Sequence, residues 1–559
     1  MSNETQEKGF FQLLGSFKTT FWLASFMELF ERWAWYGFFA VFALYLTGST
    51  DEGALGFTHI QKGQIMGLIT AFLYFIPIFT GIMADKIGYK LSLIIAFLML
   101  AFGYYFMGKV STVSGMFWIF LFTAIGAAIF KPVASAIVTK STDKSNSTLG
   151  FGLFYMMVNI GGFVGPAMSS SLRTTYGFKL IFIQASIVIL INLVLVVFFF
   201  KEPYREEKKG ESFGEAVSDA VRKIIEAVSD KRLMVLLIIM IGFWTMFNQL
   251  FYTLPTFIED WVDTKALHGS IAAISPALAS FMSGGGNSVN PEMLINIDAG
   301  FIVLFQIIVS YFVMRMRHIN AMITGFIVAA IGIGLTFYFH NGLFTILGIM
   351  IFAVGEMMSG PTLSSFIAII SPKGKEALYQ GTYFLPVALG NFLTTFISGN
   401  LYQAWSDKLS LLETEMSKRG IAMQELKSPL TREQFLEKTA KATNLSVDEV
   451  VNKFVPADMD PSEWGSALDA IRVWAKDIDG FKLGEIGTTV SKNDYFRVAS
   501  EKLGMTEVEM TQMVWDNYNP NSIWYVIVGI GILSIISLVV YDNMVIKPQE
   551  QAEKLASGE

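Results

Sequence analysis

Long apolar stretches separated by short polar segments dominate the chain. Each stretch is about twenty residues or longer, the length with which an α-helix crosses about 30 Å of hydrocarbon. The pattern predicts twelve membrane-spanning helices, which we number spans 1 to 12. Their expected ranges are 21–46, 61–84, 88–107, 114–139, 149–172, 178–200, 233–258, 291–314, 319–340, 343–370, 376–402 and 522–545. We therefore expect an all-α membrane protein embedded in a lipid bilayer.

Two longer polar segments interrupt this series. Residues 201–232 mix charges with an apolar stripe of helical spacing, which is typical of an amphipathic helix on a membrane surface. Residues 403–520 carry 14 Lys and Arg against 20 Asp and Glu, which accounts for the whole net charge of −6. Capping boxes at Ser446 and Thr506 predict that this insert is a small helical domain. We expect its acidic surface to be solvated, and binding of an unknown extracytoplasmic partner stays open.

The short loops predict the orientation of the chain. With the insert left aside, one set of loops and ends holds twenty Lys and Arg, and the other set holds five. Basic residues accumulate in cytoplasmic loops, so we expect a multi-pass protein of the inner cell membrane with both termini in the cytoplasm. The polar leader before span 1 has no small-residue cleavage site, which indicates that span 1 is retained.

These features divide the chain into five expected parts. They are an N-terminal six-helix bundle (1–200), a cytoplasmic amphipathic linker helix (201–232), the first five helices of a C-terminal bundle (233–402), a helical extracytoplasmic insert (403–520), and the last span with a cytoplasmic tail (521–559).

Composition removes several classes of function. Of the 559 residues 16% are charged, whereas soluble proteins carry about 25%. The absence of cysteine excludes disulfides, thiolate metal sites and cysteine nucleophiles. A net charge of −6 without a long basic tract argues against a nucleic-acid partner. The four histidines lack ligand spacing, and no set of nucleophile, base and orienting group is visible, so we expect neither a metal site nor an enzyme.

The two sets of six spans share a sequence pattern. Residues 126–135 and 355–364 both read G-x5-P-x2-S, and further glycines match at the same offset of 229 positions. Spans 4 and 5 therefore correspond to spans 10 and 11. Parallel repeats of this kind are typical of transporters whose halves rock around a site near the middle of the membrane.

Five ionisable residues stand out inside the predicted spans, where a charge costs from about 2.5 kcal/mol to more than 10. They are Glu28, Glu31 and Arg32 on span 1, Lys131 on span 4 and Glu356 on span 10. The three residues of span 1 share one helix face, because they are three or four positions apart. Three carboxylates then face two cations, which is unbalanced for a static salt bridge. The pattern favours a wet cavity in which an unmatched carboxylate takes up a proton.

The sequence around these charges resembles a known family. Glu28 to Gly37 reads ELFERWAWYG and resembles the E-x-x-E-R-F-x-Y-Y-G motif of the proton-dependent oligopeptide transporter family. Further resemblances are found at Tyr74–Pro77, Phe130–Pro132, Phe151–Phe163, Phe243–Gln249 and Gly355–Pro361, and the loop Gly81–Lys90 resembles the signature of major facilitator transporters. The resemblance implies the major facilitator fold and proton-coupled import of di- and tripeptides by alternating access, with the proton as coupling ion and no cofactor.

The resemblance also implies roles for individual residues. Arg32 and Lys131 would receive the peptide carboxylate, and Glu356 across the cavity would receive the ammonium group. Amide groups and aromatic hydroxyls would contact the rest of the peptide; these come from Tyr36, Tyr74, Asn159 and Asn296. Proton coupling would run through Glu28, Glu31, Arg32 and Lys131, because protonated carboxylates release the cations to the substrate.

Two other functions stay open on the sequence alone. The first is proton-coupled transport of another small anion such as nitrate, although the retained Glu356 favours a substrate with an amine. The second is a membrane receptor or scaffold that acts through the insert 403–520. The chain also departs from the family at two positions, since Trp35 replaces the first tyrosine of the Y-Y pair and Asn248 stands where an acidic residue is common.

Overall fold

The computed structural model describes residues 15–142, 146–202, 212–372, 379, 381–423, 432–455, 467, 470, 471, 474 and 491–557. Within this part of the chain the regular elements are helices. The spans run over Thr19–Thr47, His59–Phe75 with Pro77–Ile87, Tyr89–Met107, Val113–Ser141, Ser147–Tyr176, Phe178–Phe199, Lys231–Tyr252, Pro291–Val313, His318–Tyr338, Gly342–Ile370, Phe384–Thr395 with Phe396–Leu401 and Tyr402–Trp405, and Ile523–Tyr541.

These helices fit the predicted all-α fold of twelve spans. Ten of the described helices are long and apolar enough to cross a membrane, and span 2, a pair bent by 53°, makes an eleventh. The bend lies next to Pro77, which lacks the N–H group that a continuous helix needs. Span 1 has 29 residues and therefore the required length, but it carries three charged residues.

The internal repeat is visible in the helix lengths. Spans 4 and 10 both have 29 residues, and both contain an internal proline. Gly342 lies 229 positions after Val113, and Ile370 lies 229 positions after Ser141. The offset seen in the sequence therefore applies to whole helices.

Small residues bring span 1 against span 5. A Cβ atom on Gly165 would lie 2.5 Å from the carbonyl oxygen of Trp33, and one on Gly161 would collide with the carbonyl oxygen of Leu29. Gly161, Gly165 and Ser169 follow the spacing of four that lets membrane helices approach closely. This contact fixes the rotation of span 1 and so the direction of its charged face.

Two segments outside the spans form helices whose bounds differ from those expected. The linker forms the helix Phe213–Val228, which begins with a capping box between Ser212 and Glu215. The hydrogen bond from the Ser212 backbone lowers the pKa of the Glu215 carboxyl. Residues 203–211 of the predicted linker lie outside the described part. Between spans 7 and 8, where only a loop was expected, two short helices form at Thr264–Ile274 and Pro276–Ser283.

The insert divides into two packed regions. Its side chains Leu412, Tyr495 and Met510 lie in the same apolar core as the C-terminal spans. The helices that carry them are Lys408–Lys418, Lys492–Leu503 and Glu507–Tyr518. A separate small core contains Val450 and Ile471. Both predicted capping boxes begin helices, at Val447 and Glu507. Both ends of the insert therefore pack with the spans of the C-terminal half. Residues 424–431 and most of 456–490 lie outside the described part.

Candidate substrate-binding site

A cavity of about 260 Å³ lies between the two halves, midway along the spans. Four of the predicted site residues line it: Arg32, Tyr36 and Tyr74 from the N-terminal half and Glu356 from the C-terminal half. Both halves therefore contribute a charge to one chamber. The wall between these charges is largely aromatic and includes Trp244.

The charged face of span 1 forms a buried cluster behind the cavity wall. The Nε atom of Arg32 donates to Glu31 Oε2 at 2.6 Å and lies 3.3 Å from Glu28 Oε1. Glu31 is fully buried, and the other two side chains are almost so. A buried ion pair is stable only when its partners stay together, because a single charge left there is strongly destabilising. The guanidinium therefore stays with the two carboxylates as long as both are ionised.

Lys131 of span 4 joins this cluster from the side. Its Nζ atom lies 4.5 Å from the centre of the Tyr74 ring, and the Cζ atom of Arg32 lies 5.8 Å from that of Tyr36. Both distances are within the range of cation–π attraction. Lys131 also interacts electrostatically with Arg32, Glu31 and Glu28. Two tyrosine rings thus hold the cations at the edge of the cavity.

Glu356 has a partner that the sequence analysis missed. Its side chain is hydrogen-bonded to that of Asp298 on span 8, which is only 4% exposed. Span 8 has two acids, Glu292 in its first turn and Asp298 further inside. The position of Asp298 was a sufficient signal to find it, because an ionisable residue inside a span suggests a functional role.

The two predicted amides lie in different places. Asn159 donates to the Tyr155 carbonyl of its own helix at 2.9 Å, and Tyr155 in turn interacts with Glu356. Asn296 is buried and donates to the Phe163 carbonyl of span 5 at 3.0 Å. Its amide N–H therefore joins the two halves of the protein and is not directed at the cavity.

Other polar groups reach the cavity that were not assigned to it from the sequence. Asn248 and Trp244 also line the cavity. The Nδ2 atom of Asn248 and the Nε1 atom of Trp244 are buried and have no hydrogen-bond partner. Tyr252 also lines it, with its hydroxyl donating to Asn391 Oδ1 at 2.7 Å. Buried donors without partners are costly, which suggests that a ligand completes them.

On the side that carries the insert, hydrogen bonds join the two halves. Lys62, at the start of predicted span 2, is fully buried and donates to the Tyr252 carbonyl at 3.0 Å. Arg173 of span 5 donates to Glu292 of span 8 through two bonds of 2.8 and 3.1 Å. On the opposite side Tyr155 and Phe384 are 51% and 43% exposed. The cavity is therefore closed towards the insert and open away from it.

The insert itself takes part in this closure. The backbone N–H of Asn493 donates to Ser49 Oγ at 3.0 Å, and its side-chain amide donates to Glu52 at 2.8 Å. The adjacent Lys492 lies 3.2 Å from Asp260 after span 7. Burial lowers the pKa of Lys492, but the carboxylates of Asp260 and Asp407 raise it more, so its pKa lies above the ordinary value. Two successive insert residues thus touch both halves.

A group of potential metal ligands lies in the same region. His59, Asp260 and Asp407 place one ligand atom each within 4.8 Å of the others. Their positions in the chain are far apart, so spacing in the sequence could not reveal the group. Two lysines, Lys62 and Lys492, match the two carboxylates of this group, and each lysine interacts with both carboxylates. We therefore interpret it as an ion-pair network between the halves.

Comparisons with known proteins agree with this geometry. The profile of the Major Facilitator Superfamily matches residues 21–294. Peptide transporter YePEPT of Yersinia enterocolitica is 20% identical over 479 residues, which are 71% of this chain and 90% of that protein. Dipeptide and tripeptide permease B of Aliivibrio fischeri is 28% identical over 172 residues, 30% of this chain and 34% of the permease. Apart from YePEPT, the matches to the first curated relatives span little more than a third of their length.

Solved structures share the fold. A crystal structure of a peptide transporter POT in complex with sulfate has a TM-score of 0.57 at 18% identity, covering 70% of this chain and 90% of that one. The nucleoside transporter NupG reaches a TM-score of 0.55 at 15% identity, covering 70% and 93%. Since carriers named for different substrates match about equally well, the fold alone does not select a substrate.

The two half-bundles and the chamber between them have the architecture of the major facilitator fold, and residues 21–294 match the profile of that superfamily. The relatives are transporters, not enzymes. Within the superfamily, the chain is similar to peptide transporters, which agrees with the family that its motifs resemble.

Proposed function

We propose that the protein is a proton-coupled symporter that imports di- and tripeptides by alternating access. The observation that carries this proposal is the placement of Arg32 and Glu356, which line one cavity from opposite halves. A short peptide is a zwitterion with a carboxylate at one end and an ammonium group at the other. A cation and a carboxylate facing one chamber match these two ends.

The contacts of the site suggest how a peptide is held. Arg32 offers a planar fork for the carboxylate, with Lys131 as a second positive charge, and Glu356 receives the ammonium group. The unpartnered N–H groups of Asn248 and Trp244 are suited to backbone carbonyls. A volume of about 260 Å³ is below the usual range of about 300–1,000 Å³ for ligand pockets, which favours ligands of two or three residues.

Proton coupling follows from the cluster on span 1. Ionised Glu28 and Glu31 hold Arg32 through the contacts of 3.3 and 2.6 Å. A protonated carboxyl no longer attracts the guanidinium, which is then free to bind the peptide carboxylate. Each proton that moves inward releases about 2.3 kcal/mol per 100 mV of membrane potential, enough for about fiftyfold accumulation.

Alternating access is supported by the asymmetry of the two sides. With both termini in the cytoplasm, the insert lies outside, and the cavity opens inward. The contacts of Lys62, Arg173 and Asn493 then close the outer side and have to separate before a peptide can enter. The excess of Lys and Arg in the loops on the side of both termini supports a location in the inner cell membrane.

Uptake of a dipeptide into proteoliposomes under an imposed pH gradient tests the proposal. We expect accumulation that a protonophore abolishes. Accumulation that is independent of the pH gradient, or no uptake by a folded protein, would contradict it. Nitrate uptake under the same gradient separates the second candidate substrate class, because an anion carrier should accumulate nitrate and leave the dipeptide outside.

A disulfide tests the closure of the outer side directly. The chain has no native cysteine, and the bond between Asn493 and Ser49 brings their backbones close together. Oxidation of the Ser49→Cys/Asn493→Cys variant should stop uptake, and reduction should restore it. Each single variant is the matched control. Unchanged uptake with the disulfide formed would show that these contacts do not separate during transport.

The receptor alternative requires a deletion that respects the packing of the insert. Removal of 403–520 would take Leu412, Tyr495 and Met510 from the core of the C-terminal half. Replacing only residues 424–490 by a flexible linker leaves this core intact. A carrier should retain uptake after this replacement, whereas a receptor that acts through the small core at Val450 would lose its function.

A further inference from the structure

Asp298 and Glu356 form a pair of carboxyl groups at the edge of the cavity. Their side chains are within hydrogen-bonding contact of each other, although they come from different helices. Asp298 is only 4% exposed, and Glu356 lines the cavity. One oxygen on each side chain, Asp298 Oδ1 and Glu356 Oε2, is buried without a hydrogen-bond donor.

Two ionised carboxylates cannot make this contact. A carboxylate oxygen only accepts hydrogen bonds, so a bond between two carboxyl groups requires that one of them carries a proton. Two ionised carboxylates in contact repel each other strongly in a site that is shielded from water, as in the pair of aspartates of the aspartic proteases.

The surroundings provide no cation that would replace the proton. In the described part of the chain, neither carboxyl forms an ion pair with a lysine or arginine. The titratable groups that face Glu356 from the neighbouring spans are the hydroxyls of Tyr36, Tyr155 and Tyr383. Arg32 and Lys131 are engaged with the carboxylates of span 1.

We infer that Asp298 and Glu356 share one proton in the substrate-free protein, and that the pair keeps this proton when it binds the ammonium group of the substrate. The second part rests on the proposed function. Asp298 is thereby a second proton-binding residue, in the half opposite the Glu28 and Glu31 cluster.

The count of charges gives the reason. A pair with one proton has a net charge of −1, and one ammonium group brings it to zero. Without the proton the occupied pair would keep a charge of −1 inside the membrane, which is costly to move. Glu356 lines the cavity and so presents the pair to the ammonium group. The site is therefore neutral only when it holds an amine and a proton together.

The shared proton can be detected without any transport. In infrared spectra of the purified full-length protein without substrate at neutral pH, the difference between wild type and Asp298→Asn should contain the C=O stretch of a protonated carboxyl. The difference between wild type and Glu356→Gln should contain it as well, which provides a second variant if one of them fails to fold. Asp260→Asn is the matched control, since Asp260 is paired with Lys492 and its replacement should remove no such band. Absence of the band from both difference spectra would overturn the inference.

The second part is tested by repeating the infrared measurement with a saturating dipeptide. The C=O stretch should persist in the difference between wild type and Asp298→Asn, because the pair keeps its proton beside the ammonium group. Loss of the band when the dipeptide binds would overturn the second part. If the wild type binds no dipeptide, the proposed function fails, and the spectra without substrate still decide whether the proton is shared.

Discussion

The two halves of the chamber are built on the same pattern but carry opposite charges. The N-terminal half presents Arg32 and Lys131, each supported by a tyrosine ring and by the carboxylates of span 1. The C-terminal half presents Glu356, with Asp298 as its neighbour and no cation beside it among the described residues. One half is therefore suited to an anionic group and the other to a cationic group.

The charges that distinguish the two halves lie on equivalent helices, but at positions that do not correspond in the repeat. With the offset of 229, Glu356 of span 10 corresponds to Ala127 of span 4, and Lys131 corresponds to Gly360. The backbone repeat is preserved in length and in its internal proline, whereas the charges are about one helical turn apart. A symmetric scaffold can thus bind an asymmetric substrate when only a few side chains diverge.

The largest effect is expected when the C-terminal half loses its charge. In Glu356→Gln the ammonium group loses its ionic partner, and breaking one side of a buried charge pair costs about 2–5 kcal/mol, or about 30-fold to several thousandfold in affinity. Competition binding with an unlabelled dipeptide measures this loss. Ser364→Ala, further along the same helix, is the control that should bind normally. Binding within twofold of wild type would remove Glu356 from the site.

Removal of the proton-binding groups of the N-terminal half should uncouple transport without preventing it. In each of the variants Glu28→Gln and Glu31→Gln, one carboxylate that holds Arg32 is replaced by a neutral amide. We expect that dipeptide accumulation of about fiftyfold per proton at 100 mV disappears, while exchange of dipeptide across the membrane at equal pH continues. Retained accumulation in both variants would show that the coupling site lies elsewhere.

A change that keeps the charge and alters its shape should have a smaller effect. Arg32→Lys preserves the positive charge but removes the fork that binds a carboxylate with two parallel bonds. The loss of one hydrogen bond to a charged group, about 1.5–3 kcal/mol, corresponds to about 10- to 100-fold weaker binding. A dipeptide amide, which has no carboxylate, should be affected far less than the free dipeptide. Equal losses for both ligands would place Arg32 away from the peptide carboxylate.

The smallest effect is expected outside the chamber. Replacing residues 424–490 by a flexible linker removes the small core around Val450, which is separate from the core of the C-terminal half. Uptake should stay within about twofold of wild type, because surface segments far from the core tolerate such changes well. A loss of more than tenfold in a monodisperse protein would mean that the insert takes part in transport.

Much of the fold was predictable from the sequence, because length and apolar character determine which helices cross a membrane. The charged face of span 1 was also predictable, since Glu28, Glu31 and Arg32 are close in the chain and expensive to bury. Residues brought together from distant positions were not. His59, Asp260 and Asp407 meet only in the folded protein. Lys62, at the edge of predicted span 2, was not recognised as a contact between the halves, yet it is completely buried there.

Two individual residues mark the limits of reasoning from motifs. Asn296 was expected to contact the substrate, but its amide N–H binds the backbone of span 5. Asp298, two positions further on, was overlooked because it has no counterpart in the motifs that were used, although its charge inside an apolar span was visible in the sequence. Hydrogen-bond partners across helices depend on the rotation of each helix, which a motif does not specify.

The most direct test of the unlike halves measures binding of end-blocked dipeptides to matched variants. Isothermal titration of a free dipeptide, its N-acetyl form and its C-terminal amide is performed on wild type, Glu356→Gln and Arg32→Lys. We predict that Glu356→Gln no longer prefers the free dipeptide over its N-acetyl form but still prefers it over its C-terminal amide. For Arg32→Lys we predict the opposite: the preference over the C-terminal amide is lost and the preference over the N-acetyl form is kept. If both variants lose affinity for all three ligands by the same factor, the two halves do not recognise the two ends of a peptide.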